Sequence, residues 1–422
     1  MNRSRLLALI VALAATSAAA QSDATNPTRR RIVSCVGEAS MAQCSAAAEH
    51  IGVVVRSLPL IHAVVVDAPV VRAFAVASIS GGVANIARID EDKTVHWLND
   101  IGSADFTAPD LSAVQVRMHA LQALSVQSDP RIPWGVARVG APQEWKAAQG
   151  DGAVVAVIDT GIDATHPDLQ GQVAGGVNIL DAAHPDNWAD DEGHGTHVSG
   201  TIAAKGAGLF GVAPKAKLYA VKVLDKDGNG DYSGVIAGIQ WAMNHGIKIL
   251  NMSLGAPEGS DPLHAAIIAA QKAGVTIIAA AGNTGGSVGY PGAYPEVIAV
   301  GASDSADHIA PFSSRGPQVS FIAPGVNILS AKMGGGYITM SGTSMATPHM
   351  AGLAALAWSL GVRDPQSLRA ALTRAARPIN GLTPDDEGNG LVLAGNLGGM
   401  AGGATFASAA PSSGVTVLAS LR

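Results

Sequence analysis

Cysteine is nearly absent from this chain: 422 residues hold two, Cys35 and Cys44, and none follows residue 44. The rest of the molecule must therefore be held by packing or bound ions, not by disulfides. Whether Cys35 and Cys44 pair with each other or remain free thiols is left open by the sequence. Basic excess is also lacking. With 27 Lys and Arg against 33 Asp and Glu, the formal charge of -6 offers no patch suited to a nucleic-acid partner. After the N-terminus no apolar, charge-free run is long enough to span a bilayer, and no whole-chain repeat is apparent. With 48% hydrophobic residues there is ample material for a core.

The first twenty residues have the pattern of a secretory signal. Arg3 and Arg5 precede the apolar run LLALIVALAA, and Ala18, Ala19 and Ala20 precede Gln21. The expected product is secreted, to the periplasm or the medium. Between about residues 29 and 98 the pattern is β-α-β-β-α-β, with RRIVSCV and VVVRSLPLIHAVVVDAP as strands and EASMAQCSAAAEHI and VVRAFAVASI as helices. This predicts a small ferredoxin-like α+β unit within residues 21–126. The rest of that stretch, up to the start of the next domain, has weak patterning and is expected to be a linker.

A larger domain is expected over residues 127–395. Short Val-, Ile- and Ala-rich runs (AVVAVI, KLYAVKVL, IKILNMSL, VTIIAAA, EVIAVGA) alternate in part with helical stretches such as SGVIAGIQWAMNHG. Strands buried on both faces and linked by helices form a parallel α/β sheet, whose ligands bind beyond the carboxyl ends of the strands. Residues 396–422 are rich in Gly, Ala and Ser and are expected to be a flexible tail.

Four polar residues fall at such strand ends or helix starts. Asp159 closes AVVAVID, His194 opens the helix of HGTHVSGTIAA, Asn283 follows VTIIAAAG, and Ser344 lies in SGTSMATPHMAG. Each has a plain structural alternative. Asp159 could cap a turn, Asn283 could be a turn residue, Ser344 could be a helix cap, and His194 with His197 at i, i+3 could bind zinc. Taken together, the order Asp, His, Asn, Ser resembles the serine-protease order of the subtilisin family. VIDTGID, HGTHVSGTIAA, GVAPKAKLYAVKVLD, NMSLG, AAAGN, GYPGAYPEVIAVGA, FSSRGP, APGVNI and SGTSMATPHMAG carry that resemblance, in order along the chain.

The resemblance implies a subtilisin-like sheet with helices on both faces and a serine endopeptidase working through an acyl-enzyme. Ser344 is then the nucleophile, His194 its base and Asp159 the residue that holds the imidazole. Asn283 and the backbone N–H of Ser344 form the oxyanion hole. Substrate lies as an added strand between Gly228-Asn229-Gly230 and Ser253-Leu254-Gly255. Ala280, Ala281, Gly282 and Gly289 match the primary specificity pocket, roomy and uncharged. Tyr232, Val235, Leu254 and Leu263 match a more distant apolar pocket. Glu192 either favours a basic substrate residue beside the scissile one or belongs to a solvated acidic loop. Met345, beside the nucleophile, is expected to be open to oxidation.

No cofactor is implied for the chemistry. Asp168 matches a family calcium ligand, but AAKGAGLFGVAP is short and lacks the usual Asn, so that site is expected to be weak or lost. The acidic stretch from Asp186 to Glu192 remains a second place for calcium. The implied partners are protein or peptide substrates and the chain's own pro-domain, acting as folding aid and inhibitor with its C-terminal end in the cleft. Self-cleavage between Ala123 and Pro133 would release a monomeric enzyme. The alternatives are a dedicated maturation protease or peptide ligase, or an inactive scaffold on the same fold.

Overall fold

The computed structural model describes residues 28–69, 85–98, 103–106 and 129–398. The expected signal, the helix VVRAFAVASI and most of the tail lie outside the described residues. The N-terminal unit contains β1 (Thr28–Cys35), α1 (Met41–Ala48), β2 (Val53–Leu58), β3 (Ala63–Pro69) and β4 (Ile86–Glu91). Its sheet is antiparallel with order β2-β3-β1-β4, the ferredoxin-like arrangement. Ser40 starts α1 with a capping box shared with Gln43. Cys35 and Cys44 form a disulfide that ties the end of β1 to α1.

Among the described residues the larger sheet has nine strands. They are β7 (Val154–Asp159), β8 (Val173–Asn178), β9 (Lys217–Lys222), β11 (Ile249–Met252), β12 (Thr276–Ala280), β13 (Ile298–Ser303), β14 (Val319–Pro324), β17 (Ala376–Arg377) and β18 (Leu391–Val392). Their order is β17-β18-β14-β13-β12-β11-β7-β9-β8, parallel throughout except for β17. Each of the five apolar runs singled out in the sequence overlaps one of these strands to within one residue at its end. β8 and β14 carried no such signal, because glycines in VAGGVN and the serine and proline in VSFIAP shorten the apolar run.

The principal helices are α2 (His194–Ala203), α3 (Tyr232–Asn244), α4 (Asp261–Lys272), α5 (Thr343–Ser359) and α6 (Pro365–Ala375). Helix α5 is buried from Thr343 to Ala357, because its Ala, Met and Leu side chains meet α2 on one side and the sheet on another. A helix apolar all round is a core helix. Met345 is completely buried there, contrary to the expectation that it lies open beside the nucleophile. Leu397 is fully buried too, so packing extends just past residue 395, where the tail was expected to begin.

The path of the chain positions the site. From β7 it runs to β8 and β9 on one side, then returns to β11 on the other side of β7. The carboxyl ends of β7 and β11 thus flank a topological switch point, where loops diverge and leave a crevice.

Three further segments complete the crevice. They are β10 (Asn229–Asp231) and the hairpin of β15 (Ile328–Ala331) and β16 (Tyr337–Met340). Two strands from the linker side join them: β5 (Thr94–His96) pairs with β10, and β6 (Ser103–Phe106) pairs with β16. β6 falls where the sequence suggested a linker. Its four residues carry little pattern of their own and gain a partner only from the hairpin edge.

Candidate active site

Asp159 ends β7 and is fully buried. Its Oδ1 accepts a hydrogen bond from the backbone N–H of Thr160 at 2.7 Å and lies 2.8 Å from Nδ1 of His194. His194 opens α2, where its own N–H would lack a helical partner; Oε2 of Glu192 accepts from it at 2.7 Å. Gly195 is needed for closeness, because a Cβ there would sit 2.1 Å from the carbonyl oxygen of Gly161.

Asp190 fastens the start of α2. Its Oδ1 accepts from Thr160 Oγ1 and from the N–H groups of Glu192 and Gly193, and its Oδ2 accepts from the N–H and hydroxyl of Thr196. Thr160 Oγ1 in turn accepts from the N–H of Gly195 at 3.0 Å. One carboxylate thus ties the loop after Asp159 to the helix bearing His194.

Ser344 is the second residue of α5 and not its cap, since Gly342 precedes the helix with no side-chain cap bond. Pro348 has no N–H to return to the carbonyl of Ser344, four residues back. That carbonyl instead accepts from Ser253 Oγ at 2.8 Å, and Ser344 Oγ donates to the carbonyl of Ser253 at 3.2 Å. Asn283 is oriented by Thr343, whose N–H and hydroxyl both donate to its Oδ1 at 2.8 Å. These two bonds fix Oδ1 as the acceptor end of the amide and Nδ2 as its donor end. Gly282 before it has φ of +112°, a conformation that suits glycine.

A cavity of about 380 Å³ joins Ser344, Thr343 and Asn283 to Leu254, Gly255, Ala280, Gly282 and Gly289, and His96 and Trp97 border it. Ala281 does not line it and lies behind, against Val288, Ala299 and Val319. Thr284, Ser287 and Ser314 do line it, and sequence reading had missed them; hydroxyls in loops gave no signal. Val235 and Leu263 are fully buried in one apolar cluster with Tyr232 and Leu254.

The crevice between the two glycine segments is filled by the chain itself. Asn229 pairs with His96 and Gly230 with Val95, the N–H of Trp97 donates to Gly228 O at 2.9 Å, and the N–H of Gly255 donates to Trp97 O at 3.0 Å. The Trp97 indole is 1% exposed, lies edge-on to Tyr232 at 5.0 Å, and donates Nε1–H to Gly230 O at 2.9 Å. Burying an indole contributes on the order of 4 kcal/mol. Behind this strand the N-terminal unit docks by polar contacts. Asp92 Oδ1 accepts from the N–H of Ser233 at the start of α3, Arg30 meets Asp231 at 2.6 Å, and Arg88 meets Asp261 at 2.8 Å. Burial raises the carboxyl of Asp92 above its usual range.

The metal expectations meet a clear test. Both oxygens of Asp168 are taken by donors: Oδ1 by the N–H of Gly208, Oδ2 by the N–H of Leu209 and the hydroxyl of Tyr337. Hydrogens pointing at a carboxylate exclude a cation from the same lone pairs, so these residues do not fit calcium. In the acidic stretch Asp190 is saturated as above and Asp191 pairs with Lys222 at 2.6 Å. Among the described residues no group of three or more His, Cys, Asp or Glu side chains is arranged to hold a metal. His197 is buried with Nε2 2.9 Å from Ile328 O, while His194 meets Asp159, so the two histidines do not converge on zinc.

Glu192 does not fit the reading of a solvated acidic loop. It is only partly exposed, burial foremost raises its carboxyl, and its Oε2 is turned back onto the helix start.

Comparison with known proteins places these features in a wider group. A family model described as "Subtilase family" matches residues 150–396. A thermostable alkaline protease of Halalkalibacterium halodurans is 46% identical over 272 residues, covering 63% of this chain and 73% of the relative. An intracellular serine protease of Paenibacillus polymyxa is 44% identical over 278 residues, 62% of this chain and 85% of the relative. A subtilisin of Bacillus pumilus is 48% identical over 233 residues, 53% of this chain and 84% of the relative.

Proposed function

The chain belongs to the subtilase family and is a subtilisin-type serine endopeptidase, and from that premise we propose that it is a secreted zymogen that processes itself. The observation that carries the mechanism is the buried 2.8 Å contact between Asp159 and Nδ1 of His194, on a helix packed against the one that presents Ser344. Ser344 Oγ attacks the substrate carbonyl carbon as Nε2 of His194 takes its proton. The same proton is then given to the leaving amine, and water hydrolyses the resulting ester. Asp159 holds the tautomer with hydrogen on Nδ1 and stabilises the imidazolium. Asn283 Nδ2 and the N–H of Ser344, at the positive end of α5, receive the oxyanion. Neither step calls on a metal or an organic cofactor.

Substrate specificity is broad in this reading, towards large or apolar side chains in the cavity lined by Ala280, Gly282 and Gly289. Inhibition before processing is supported by residues 94–98, which occupy the slot an extended substrate would take. Secretion is supported by the leader pattern of residues 1–20. The test is to express the full chain beside Ser344→Ala and follow intact mass and casein hydrolysis. The wild type should shed an N-terminal fragment and digest casein while the variant stays whole and inert. If both remain whole and inactive although folded, the scaffold reading replaces this one.

A further inference from the structure

We propose that a cavity between the N-terminal unit and α3 binds a small organic carboxylate with an aromatic body, and that this ligand holds the unit on the catalytic domain. Binding itself is independent of the self-processing reading above; its effect on activation rests on that reading. The cavity measures about 510 Å³, a size usual for small-molecule sites. It is lined by β2, an edge strand of its sheet, by the end of β8 with the loop after it, and by α3. It shares no lining residue with the cavity at Ser344.

A bulge builds the wall contributed by β2. Val54 pairs with Val66 and Arg56 with Val65, so Val55 is an extra residue in the strand. Consecutive strand residues normally point to opposite faces, yet Val55 and Arg56 both line this cavity. Val55 is 46% exposed, and Leu180, from the loop after β8, is 40% exposed. These two exposed apolar side chains come from different units and line the same cavity, where the apolar body of a ligand would cover both. From α3, Ala237 and Trp241 add an apolar stripe one turn apart.

Among the described residues the lining carries donors and no carboxylate. Arg56 has five N–H donors and gives one to Ile179 O at 2.8 Å and one to Ser233 Oγ at 3.4 Å. Among the described residues it has no ion-pair partner; Asp92 and Asp231 act on it only from a distance, and burial works foremost against its charge. Arg30, also in the lining, is paired with Asp67 and Asp231. Asn178 Oδ1 accepts from the N–H of Leu180, and Gln240 Oε1 from the N–H of Leu60, which fixes both amide nitrogens as donor ends. An ionised carboxylate has acceptors only, and its hydrogen bonds to a guanidinium are charge-assisted.

Such a ligand meets both units at once, Val55 and Arg56 on one side, Asn178 and Trp241 on the other. Its site is complete only while the units are docked. Binding therefore favours the docked state by mass action, by the factor 1 + [L]/Kd.

The probe is phenylpropionate, titrated by calorimetry into full-chain Ser344→Ala, in which the N-terminal unit stays attached. Phenylpropionamide is the uncharged control and should bind at least roughly tenfold more weakly, because the charge-assisted bond to Arg56 is lost. Arg56→Gln should weaken the acid by a similar factor and affect the amide less. Val55→Glu, at an exposed position, should abolish binding of the acid by repulsion, and it keeps the test open should Arg56→Gln fail to fold. Hydrogen exchange should slow in residues 53–58 and 178–185 together when the acid is added. Equal affinity for acid and amide, or protection confined to other segments, overturns the site. In the wild type, the probe at roughly ten times its Kd should lengthen the lag before casein hydrolysis about tenfold. An unchanged lag with binding present overturns retention of the unit. A wild type that never sheds the unit counts against self-processing and leaves the binding result standing.

Discussion

Ser253 and Ser344 are bonded to each other twice, Oγ to carbonyl in both directions, at 2.8 and 3.2 Å. Asn251 Nδ2 donates to Ser253 Oγ at 2.9 Å, so the end of β11 holds the start of α5 through a three-member chain. Ser253→Ala leaves the carbonyl of Ser344 without its donor in a buried setting, a loss of roughly 1–3 kcal/mol. The expected result is a lower melting temperature and a kcat reduced about tenfold, read with a short chromogenic peptide. Unchanged kcat would mean that α5 holds Ser344 by packing alone.

Thr343 orients Asn283 through two donors to one oxygen. Thr343→Val removes the hydroxyl and also the acceptor for the N–H of Gly282 at 3.0 Å. A fall in kcat of about tenfold with little change in KM is expected, since the oxyanion forms only after binding. Asn283→Ala should cost more, roughly 10²–10³ in kcat, a magnitude taken over from subtilisin itself rather than derived from this geometry. A change in KM alone would place the pair in substrate binding.

Glu192 affects the acid limb of the pH profile. Its charge favours the protonated imidazole of His194, and burial raises its own carboxyl. Glu192→Gln keeps an acceptor for the N–H of His194 but removes the charge, so the imidazole loses its proton at lower pH. The limb of kcat/KM should move to lower pH by on the order of half a unit. No movement would show that solvent screens the pair.

His349 lies on α5 with Nδ1 2.9 Å from Met345 O, and burial pushes it down to about 4. Unfolded, it titrates near 6.5. Between those values the unfolded chain binds a proton that the folded one does not, so folding stability falls as pH drops from about 6.5 to about 4. The full effect is about 3 kcal/mol. His349→Gln should flatten that part of the melting-temperature curve measured on processed enzyme. An equally steep curve would assign the acid lability to other groups.

Tyr337 and Asp168 join β16 to the loop before β8, with Oη 2.6 Å from Oδ2. Burial and the neighbouring carboxylate push the phenol well above its usual range, so it remains a donor in alkali. Tyr337→Phe should lower stability by about 1–3 kcal/mol. Because the Asp168 oxygens are taken by N–H and O–H donors, a chelator should leave the wild-type melting temperature in place. A large drop on chelation would reveal a calcium site elsewhere.

Strand runs, helix starts and the four polar residues at their ends were legible because each depends on neighbours in sequence. Asp159 follows five apolar residues of a buried strand, and Ser344 precedes a long apolar helix. Other features had no local signal. The role of Pro348 depends on Ser253, which is 95 residues away. The engagement of Asp168 depends on Tyr337, and the burial of Met345 on how α5 meets α2.

The sequence by itself determined the parallel α/β class, the small domain ahead of it and the identity of the chemical groups, since periodicity and strand-end placement are properties of the local chain. Only the tertiary structure decided which donors saturate Asp168, where Glu192 turns, that Cys35 meets Cys44, and that β5 and β6 pair with β10 and β16. Those outcomes depend on pairings between distant segments. A hydrogen bond or a strand edge gains its partner only after the sheet has brought the segments together.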